Sequence, residues 1–302
     1  MHIPDGFLSN RVALSLDALS GATILYAVRR VKVEAAGHLI PLMGVLGAFV
    51  FAAQLLNFPV LGGTSGHLVG GALLAILLGP LAGLLTMSTV IIAQALFLQD
   101  GGIVALGANI FNIGTVTTFG GYALFCLLGG HKREGRQLGA AAFSAGWLAL
   151  MLSAVCCACE LALSGAIALR VGLPAMAGYH ALIGIAEGGL TAGVLVFLAR
   201  VRPDLIEVRS GSKFGAADWI WATLLAAIPA VILVLAGSSS LPDPLQQLLA
   251  STGAAPRGGA APEKLVSPER YLDYLGRAGV LLLLAGLVYL AVCLARRHRR
   301  RS

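Results

Sequence analysis

Leu81-Ala82-Gly83-Leu84-Leu85-Thr86-Met87-Ser88-Thr89-Val90-Ile91-Ile92-Ala93-Gln94-Ala95-Leu96-Phe97-Leu98 carries no charged side chain. A helix needs about 20 apolar residues to cross a bilayer core, and this run nearly supplies them. Comparable runs fall at roughly 13–28, 38–56, 67–79, 103–128, 138–169, 179–199, 217–237 and 278–295. The run over 67–79 is short and closes at Gly79-Pro80 without a charge, so it is expected to be tilted or partly re-entrant. The run over 138–169 is long, and is expected to be broken or to extend past the membrane. The expected fold class is an all-α integral membrane protein, with a bundle of about seven helices followed by two C-terminal transmembrane helices.

Composition agrees. The chain is 58% hydrophobic and 12% charged, too little charge to cover a soluble surface of 302 residues. A net charge of +7 could suggest nucleic acid, but the basic residues punctuate apolar runs and form no patch interleaved with aromatics. No nucleic-acid partner is expected; lipid is. The N-terminus lacks the basic region and small-residue cleavage site of a secretory signal, so it is expected to stay on the chain.

The loops set orientation. Arg29, Arg30 and Lys32 follow the first run, Lys132, Arg133 and Arg136 the fifth, and Arg200, Arg202, Arg209 and Lys213 the seventh. Arg296, Arg297, Arg299, Arg300 and Arg301 follow the ninth. These are 15 of the 21 basic residues, all on one side if every run crosses once. The positive-inside rule then places the N-terminus outside a prokaryotic plasma membrane and the C-terminus in the cytoplasm.

The chain begins Met1-His2-Ile3-Pro4-Asp5-Gly6-Phe7-Leu8. A histidine at position 2 lets the α-amine of Met1, the amide nitrogen of His2 and the His2 imidazole Nδ1 reach one metal ion, closing a five- and a six-membered ring. Initiator methionine is normally kept before so bulky a residue. Three nitrogens in a plane leave one corner of a square, a geometry suited to Ni(II) or Cu(II), with low-spin Co(II) a third choice. A fourth donor is available in Asn57-Phe58-Pro59-Val60-Leu61-Gly62-Gly63-Thr64-Ser65-Gly66-His67-Leu68-Val69-Gly70-Gly71. Thr64 or Ser65 is expected to cap the third helix, putting His67 in its first turn on the N-terminal side. His67 is then either the fourth nitrogen or a histidine hydrogen-bonded at the interface.

Four separated motifs resemble the NikM/CbiM family, the substrate-capture (S) subunits of energy-coupling-factor transporters for nickel and cobalt. They are Met1–Phe7, Gly62–Leu68, the run Gln99-Asp100-Gly101-Gly102 with Ala105-Leu106-Gly107-Ala108-Asn109, and His180-Ala181-Leu182-Ile183-Gly184 with Glu187-Gly188. The resemblance covers roughly residues 1–200 and is nearer to nickel-type than to cobalt-type members. It implies a square-planar site held by Met1, His2 and His67, with Ni(II) or Co(II) as transported substrate and no organic cofactor. It also implies a membrane coupling (T) subunit and separate ATP-binding subunits; this chain has no Gly-x-x-x-x-Gly-Lys-Ser/Thr phosphate loop, so ATP hydrolysis is expected elsewhere. The chain itself is expected not to be an enzyme.

The expected domains are a metal-binding membrane domain over 1–203, a cytoplasmic linker over 204–216, and a two-helix hairpin over 217–302. The hairpin's loop is rich in Gly, Pro, Ala and Ser, so flexibility is expected. Within it, Pro242-Asp243-Pro244-Leu245-Gln246 resembles the Pro-Asp-Gly-Leu-Glu motif of the small NikN-type partner, with Pro244 for Gly and Gln246 for Glu. That region is expected to help metal enter or leave the first domain, provided the two departures leave the motif working.

Polar groups within the runs each call for a partner or a task, because burying one in a bilayer is unfavourable by about 2.5–3.5 kcal/mol when charged. Asp5, Ser65, Gln94, Asn109, Asn112, His180 and Glu187 are candidates to orient the ligands; the alternative is hydrogen bonding between helices. Ala18 and Ala22, four apart, are candidates for close approach of the coupling subunit or for internal packing. Cys156, Cys157 and Cys159 read as soft core residues, since the cluster has no second half to make a metal signature. Glu160 beside them has no assigned role.

Two other classes fit parts of the sequence. Gly63-Thr64-Ser65-Gly66 with His180 could make the Ser–His dyad of a rhomboid-like intramembrane protease, which would leave His2 idle. A stand-alone secondary metal permease would need an inverted repeat of broken helices, and none is evident. For the capture reading, affinity is expected to fall below the ordinary imidazole pKa of about 6.5.

Overall fold

In the computed structural model, residues 1–31, 39–60, 64–132, 135–201, 205 and 242–256 are described. The C-terminal spans expected over 217–237 and 278–295 lie outside these residues, as does the linker over 204–216 apart from Leu205.

Ser9 opens helix α1 (Asn10–Arg30) by accepting from the Val12 amide at 3.4 Å, and Arg29 and Arg30 close it. Basic residues in the last turn complement the exposed carbonyls there. Helix α2 (Leu39–Gln54) follows, then a hairpin of β1 (Phe58–Val60) and β2 (Thr64–Gly66), paired antiparallel as Phe58 with Gly66 and Val60 with Thr64. Helices α3 (Gly71–Leu78) and α4 (Pro80–Ala93) form a tight pair, and α4 runs on through a wider π turn, Gln94–Leu98. Helix α5 (Leu106–Asn109), a π segment (Ile110–Gly120) and α6 (Gly121–Leu127) make one continuous rod. Helices α7 (Gly135–Leu163) and α8 (Leu169–Val201) are a long antiparallel pair, and α9 (Pro244–Thr252) returns to the N-terminal end. Among the described residues, five helices are long and apolar enough to cross a membrane.

Two expectations are corrected, the start of α3 and the junction of α7 with α8, while the shortness of the third run is as expected. Thr64 and Ser65 do not cap α3; they lie in β2, and His67 sits in the extended stretch that follows. The cap is Gly70, whose φ of 80° lets the chain turn sharply into the helix. Alone, α3 is too short to cross: eight residues rise about 12 Å against a core of about 30 Å. All eight are buried, so lipid never meets them. The non-helical backbone before them is shielded by protein, a setting in which such backbone is tolerated at membrane depth. Finally, the sixth run ends at Leu163 rather than near 169. Gly165 adopts φ 67°, its amide bonds Ala162 O at 2.9 Å and that of Ala166 bonds Leu161 O at 2.9 Å, the paired closure that a left-handed glycine permits. Helix α8 therefore starts ten residues before the expected 179, and takes Pro174 in its second turn.

Packing around α3 positions everything else. Leu73, Leu74, Leu84, Met87, Ile91 and Ile113 are fully buried between α3, α4 and the π segment. Glu187 on α8 accepts from the Val69 amide at 2.8 Å and the Gly70 amide at 2.7 Å. These are amides at the start of α3, where a carboxylate is favoured by both hydrogen bonding and the helix dipole. Gln54 on α2 completes the corner by donating to Val69 O at 2.7 Å.

Replacing Glu187 by Ala strands two buried amides, each unfavourable by about 1–3 kcal/mol. Thermal unfolding of the detergent-purified Glu187→Ala chain should come several degrees lower, and Glu187→Gln, which keeps an acceptor, should recover part of the loss. An unchanged midpoint for the alanine variant would show that α3 is held without this carboxylate.

Candidate metal centre

The first eight residues do not fray. They thread into the end of the bundle, leaving Met1, His2, Ile3, Phe7 and Leu8 all buried. Asn109, at the end of α5, holds the middle of the segment: its Oδ1 accepts from the Ile3 amide at 2.7 Å and its Nδ2 donates to Ile3 O at 3.1 Å. Ile3 O also accepts from the Gly102 amide at 2.9 Å. Asp5 accepts from the amides of Ile103, Val104 and Ala105 at 3.0, 2.8 and 3.1 Å. The glycines in Gly101-Gly102 are required by this closeness. A Cβ on Gly101 would lie 2.7 Å from Asn109 Nδ2, and one on Gly102 would collide with Asp5.

This clamp puts three nitrogen groups together. The Met1 α-amine lies 3.0 Å from His67 Nε2. His67 Nδ1 lies 3.0 Å from Leu68 O, which makes it the protonated ring nitrogen and leaves Nε2 as acceptor toward the amine. The His2 and His67 rings stack at 5.6 Å between centroids and 18° between planes. His2 Nε2 is buried, and the fully buried Gln94 amide sits beside the ring. Burial, and then the positive α-amine, push the His2 imidazole down to about 3, so it is neutral across the physiological range.

Two carboxylates that sequence reasoning did not select complete the site. Asp100 Oδ1 is 3.3 Å from His2 Nδ1, and Asp243 Oδ2 is 3.0 Å from the α-amine. Asp243 arrives with α9. Burial would raise its carboxyl, but the α-amine and the Gln246 amide outweigh that and hold it at about 2. The two departures from the Pro-Asp-Gly-Leu-Glu pattern turn out to fit. Asp243 caps α9 through the Gln246 amide at 2.7 Å, Gln246 Oε1 accepts from the Asp243 amide at 3.2 Å, and Pro244 occupies the first helical turn. Gln serves as well as Glu in such a box, and Pro is favoured at that position. The pattern Asp-Pro-x-Gln was therefore a readable helix start.

The other candidates separate. Ser65 is buried, with its amide donating to Pro242 O at 2.8 Å, so it holds α9 against β2. His180 Nδ1 bonds Met176 O at 2.7 Å, and the ring lines a small cavity with Met1, His67 and Pro244. Glu187 serves α3, and Asn112 donates to Glu160 at 2.6 Å. Cys156, Cys157 and Cys159 are free thiols on α7. Ala18 and Ala22 are exposed on α1 among the described residues.

A helical bundle with a nitrogen-rich chain start buried at one end defines a multi-pass membrane protein built around its own N-terminus. The chain belongs to the CbiM family, described as the cobalt uptake substrate-specific transmembrane region, which matches residues 2–205. A putative metal transport protein of Haloquadratum walsbyi is 48% identical over 208 residues, covering 68% of this chain and 93% of its own. A putative fused nickel transport protein, NikMN, of Archaeoglobus fulgidus is 40% identical over 258 residues, covering 84% of this chain and 83% of its own. A crystal structure of a transition metal transporter superposes with a TM-score of 0.61 at 30% identity, covering 70% of this chain and 98% of that one.

Asn109→Ala should free the chain start without disturbing the helices. Losing the two bonds to Ile3 is unfavourable by about 1–3 kcal/mol, so amide exchange over residues 1–8 should quicken by about tenfold or more. Exchange at the wild-type rate would mean that Asp5 alone secures the segment.

Proposed function

We propose that the chain is the substrate-specific membrane subunit of an energy-coupling-factor importer, and that it captures Ni(II) or Co(II) in a square of four nitrogens. The ligands are the Met1 amine, the His2 amide and imidazole, and the His67 imidazole. One observation carries this reading: the Met1 amine and His67 Nε2 stand 3.0 Å apart. With metal–nitrogen bonds of about 2.0 Å, adjacent corners of a square lie about 2.8 Å apart. Now the pair is joined by an N–H···N hydrogen bond; once the amine gives up its proton, both nitrogens present lone pairs at a spacing that two adjacent corners of the square require.

When the ion takes His2 Nδ1, the ring proton moves to Nε2, beside the Gln94 amide. Asp5 and Asn109 hold the backbone of the claw, which fixes the amide nitrogen. Names of relatives support nickel or cobalt as cargo, and the fused nickel proteins among them support a capture domain over 1–203 joined by the linker 204–216 to a NikN-like region over 217–302. On this reading α9 belongs to the second region and covers the mouth of the first. Charge placement in the loops supports an outward-facing site in a prokaryotic plasma membrane. ATP hydrolysis falls to partner subunits, which dock through a coupling subunit, with the exposed Ala18 and Ala22 as a contact. The protease reading has no support in the family; uptake of nickel by this chain without any ATPase would support the permease reading instead.

Titration of the purified chain with Ni(II), Co(II) and Cu(II), followed in the visible, tests the site. His2→Ala, His67→Ala and a Met-Lys-Lys extension ahead of Met1 should each weaken nickel binding by more than about 100-fold, beyond what loss of an outer hydrogen bond does. The extension turns the Met1 nitrogen into a peptide amide and keeps His2 out of the third position, where it would build a new chelate; initiator methionine stays before lysine, which intact mass verifies. Tight binding by the extended chain would remove the amine from the ligand set.

The pH dependence differs from the simple imidazole expectation. Since burial keeps His2 neutral down to about 3, protonation of that imidazole does not compete with the ion between pH 5 and 7. The amide proton must leave on binding, so affinity should still rise with pH, by about tenfold or more per unit. A slope near zero would count against the amide as a donor.

A further inference from the structure

The chelate needs nothing from the side chain of residue 1. Any residue placed before His2 supplies the same amine, amide and imidazole. Yet the Met1 side chain is 1% exposed, sunk in the apolar core with a polar group at its sulfur. Met1 Sδ lies 3.9 Å from Ser153 Oγ on α7. Ser153 donates its single hydroxyl proton to Asn112 O at 2.8 Å, so the sulfur packs on the hydroxyl oxygen and does not accept from it. Asn112 Nδ2 in turn donates to Glu160 Oε2 at 2.6 Å. Ser153 and Glu160 are seven apart on α7, two turns of one face. The three groups therefore clip α7 to the π segment at two levels, and all three are buried.

We propose that Met1 acts through its side chain as well as its amine: the thioether is an anchor that sets how deep the claw sits, and Ser153, Asn112 and Glu160 are the floor that positions it. This rests on the reading of Met1 as a ligand given above. It gives Glu160 a task. A carboxylate inside a membrane bundle is unfavourable without a partner, and this one's role is to hold the Asn112 side chain so that the backbone carbonyl of Asn112 stays aimed at Ser153. It also makes the identity of residue 1 matter. An amine on a short side chain would keep every donor atom but lose the contact that places it 3.0 Å from His67.

The test removes the thioether and keeps the chelate. A gene encoding Met-Ala-His yields the Met1→Ala chain once the initiator is removed before alanine, which intact mass verifies. Titrated with Ni(II), this full-length chain should give the same square-planar visible band as the wild type, with a Kd weaker by about 10–100-fold, the range expected for losing one buried methionine contact. A Kd within twofold of the wild type would overturn the anchor. Ser153→Ala adds a readout that general destabilisation does not mimic: it should weaken binding when Met1 is present and have no further effect in the Met1→Ala background, whereas equal effects in both would sink the proposal. Glu160→Gln, which keeps an acceptor for Asn112, should bind as the wild type does, and Glu160→Ala should not. Failure of the ligand reading looks different: the lysine-extended chain, not the Met1→Ala chain, would then keep its nickel.

Discussion

The pair of hydrogen bonds between Asn109 and the backbone of Ile3 is the constraint on which the rest of this structure turns. A chain terminus is normally the most mobile part of a protein. Here an amide side chain with one acceptor and one donor matches an isolated stretch of backbone that has no helix or sheet to satisfy it. Asp5 repeats the device two residues later with three backbone donors. Once both are made, the amine of Met1 has one place to go, and that place faces His67.

The same logic runs through the bundle. Several polar groups sunk among its helices bind backbone of neighbouring segments. Glu187 takes the amides that lead into α3, Gln54 takes the carbonyl of Val69, and Ser20 donates to Gly107 O at 2.6 Å. These contacts make a broken third passage tolerable in an apolar setting. They also explain why candidates chosen for orienting ligands divided. Asn109 and Asp5 act on the claw directly, Asn112 stands beneath it, and Glu187 acts on the helix that begins beside His67.

The contact of α9 with the chain start joins sequence positions separated by 242 residues. Its apolar face, Leu245, Leu248 and Leu249, is buried, and its cap supplies the carboxylate that faces the α-amine. On the proposed reading, Asp243 brings a counter-charge to the mouth of the site, and a metal that takes the amine must displace it from that carboxylate.

Much of this was legible in the sequence. Charge-free apolar runs reported a membrane bundle, because bilayer thickness imposes a length that composition reveals. His2 marked a candidate chelate, because the spacing of the three nitrogens is set by covalent connectivity and needs no fold. His67 was legible only as a candidate, since nothing in its spacing says that it meets Met1. The ends of α7 and α8, the β1–β2 hairpin and the left-handed start of α3 were settled by backbone hydrogen bonding around Gly165 and Gly70, where several readings of the same residues were open. Asp100 and Asp243 stood within motifs but were given no place at the site. Only the tertiary structure decided that one faces His2 and the other the α-amine, because proximity across a fold is set by packing and not by order along the chain.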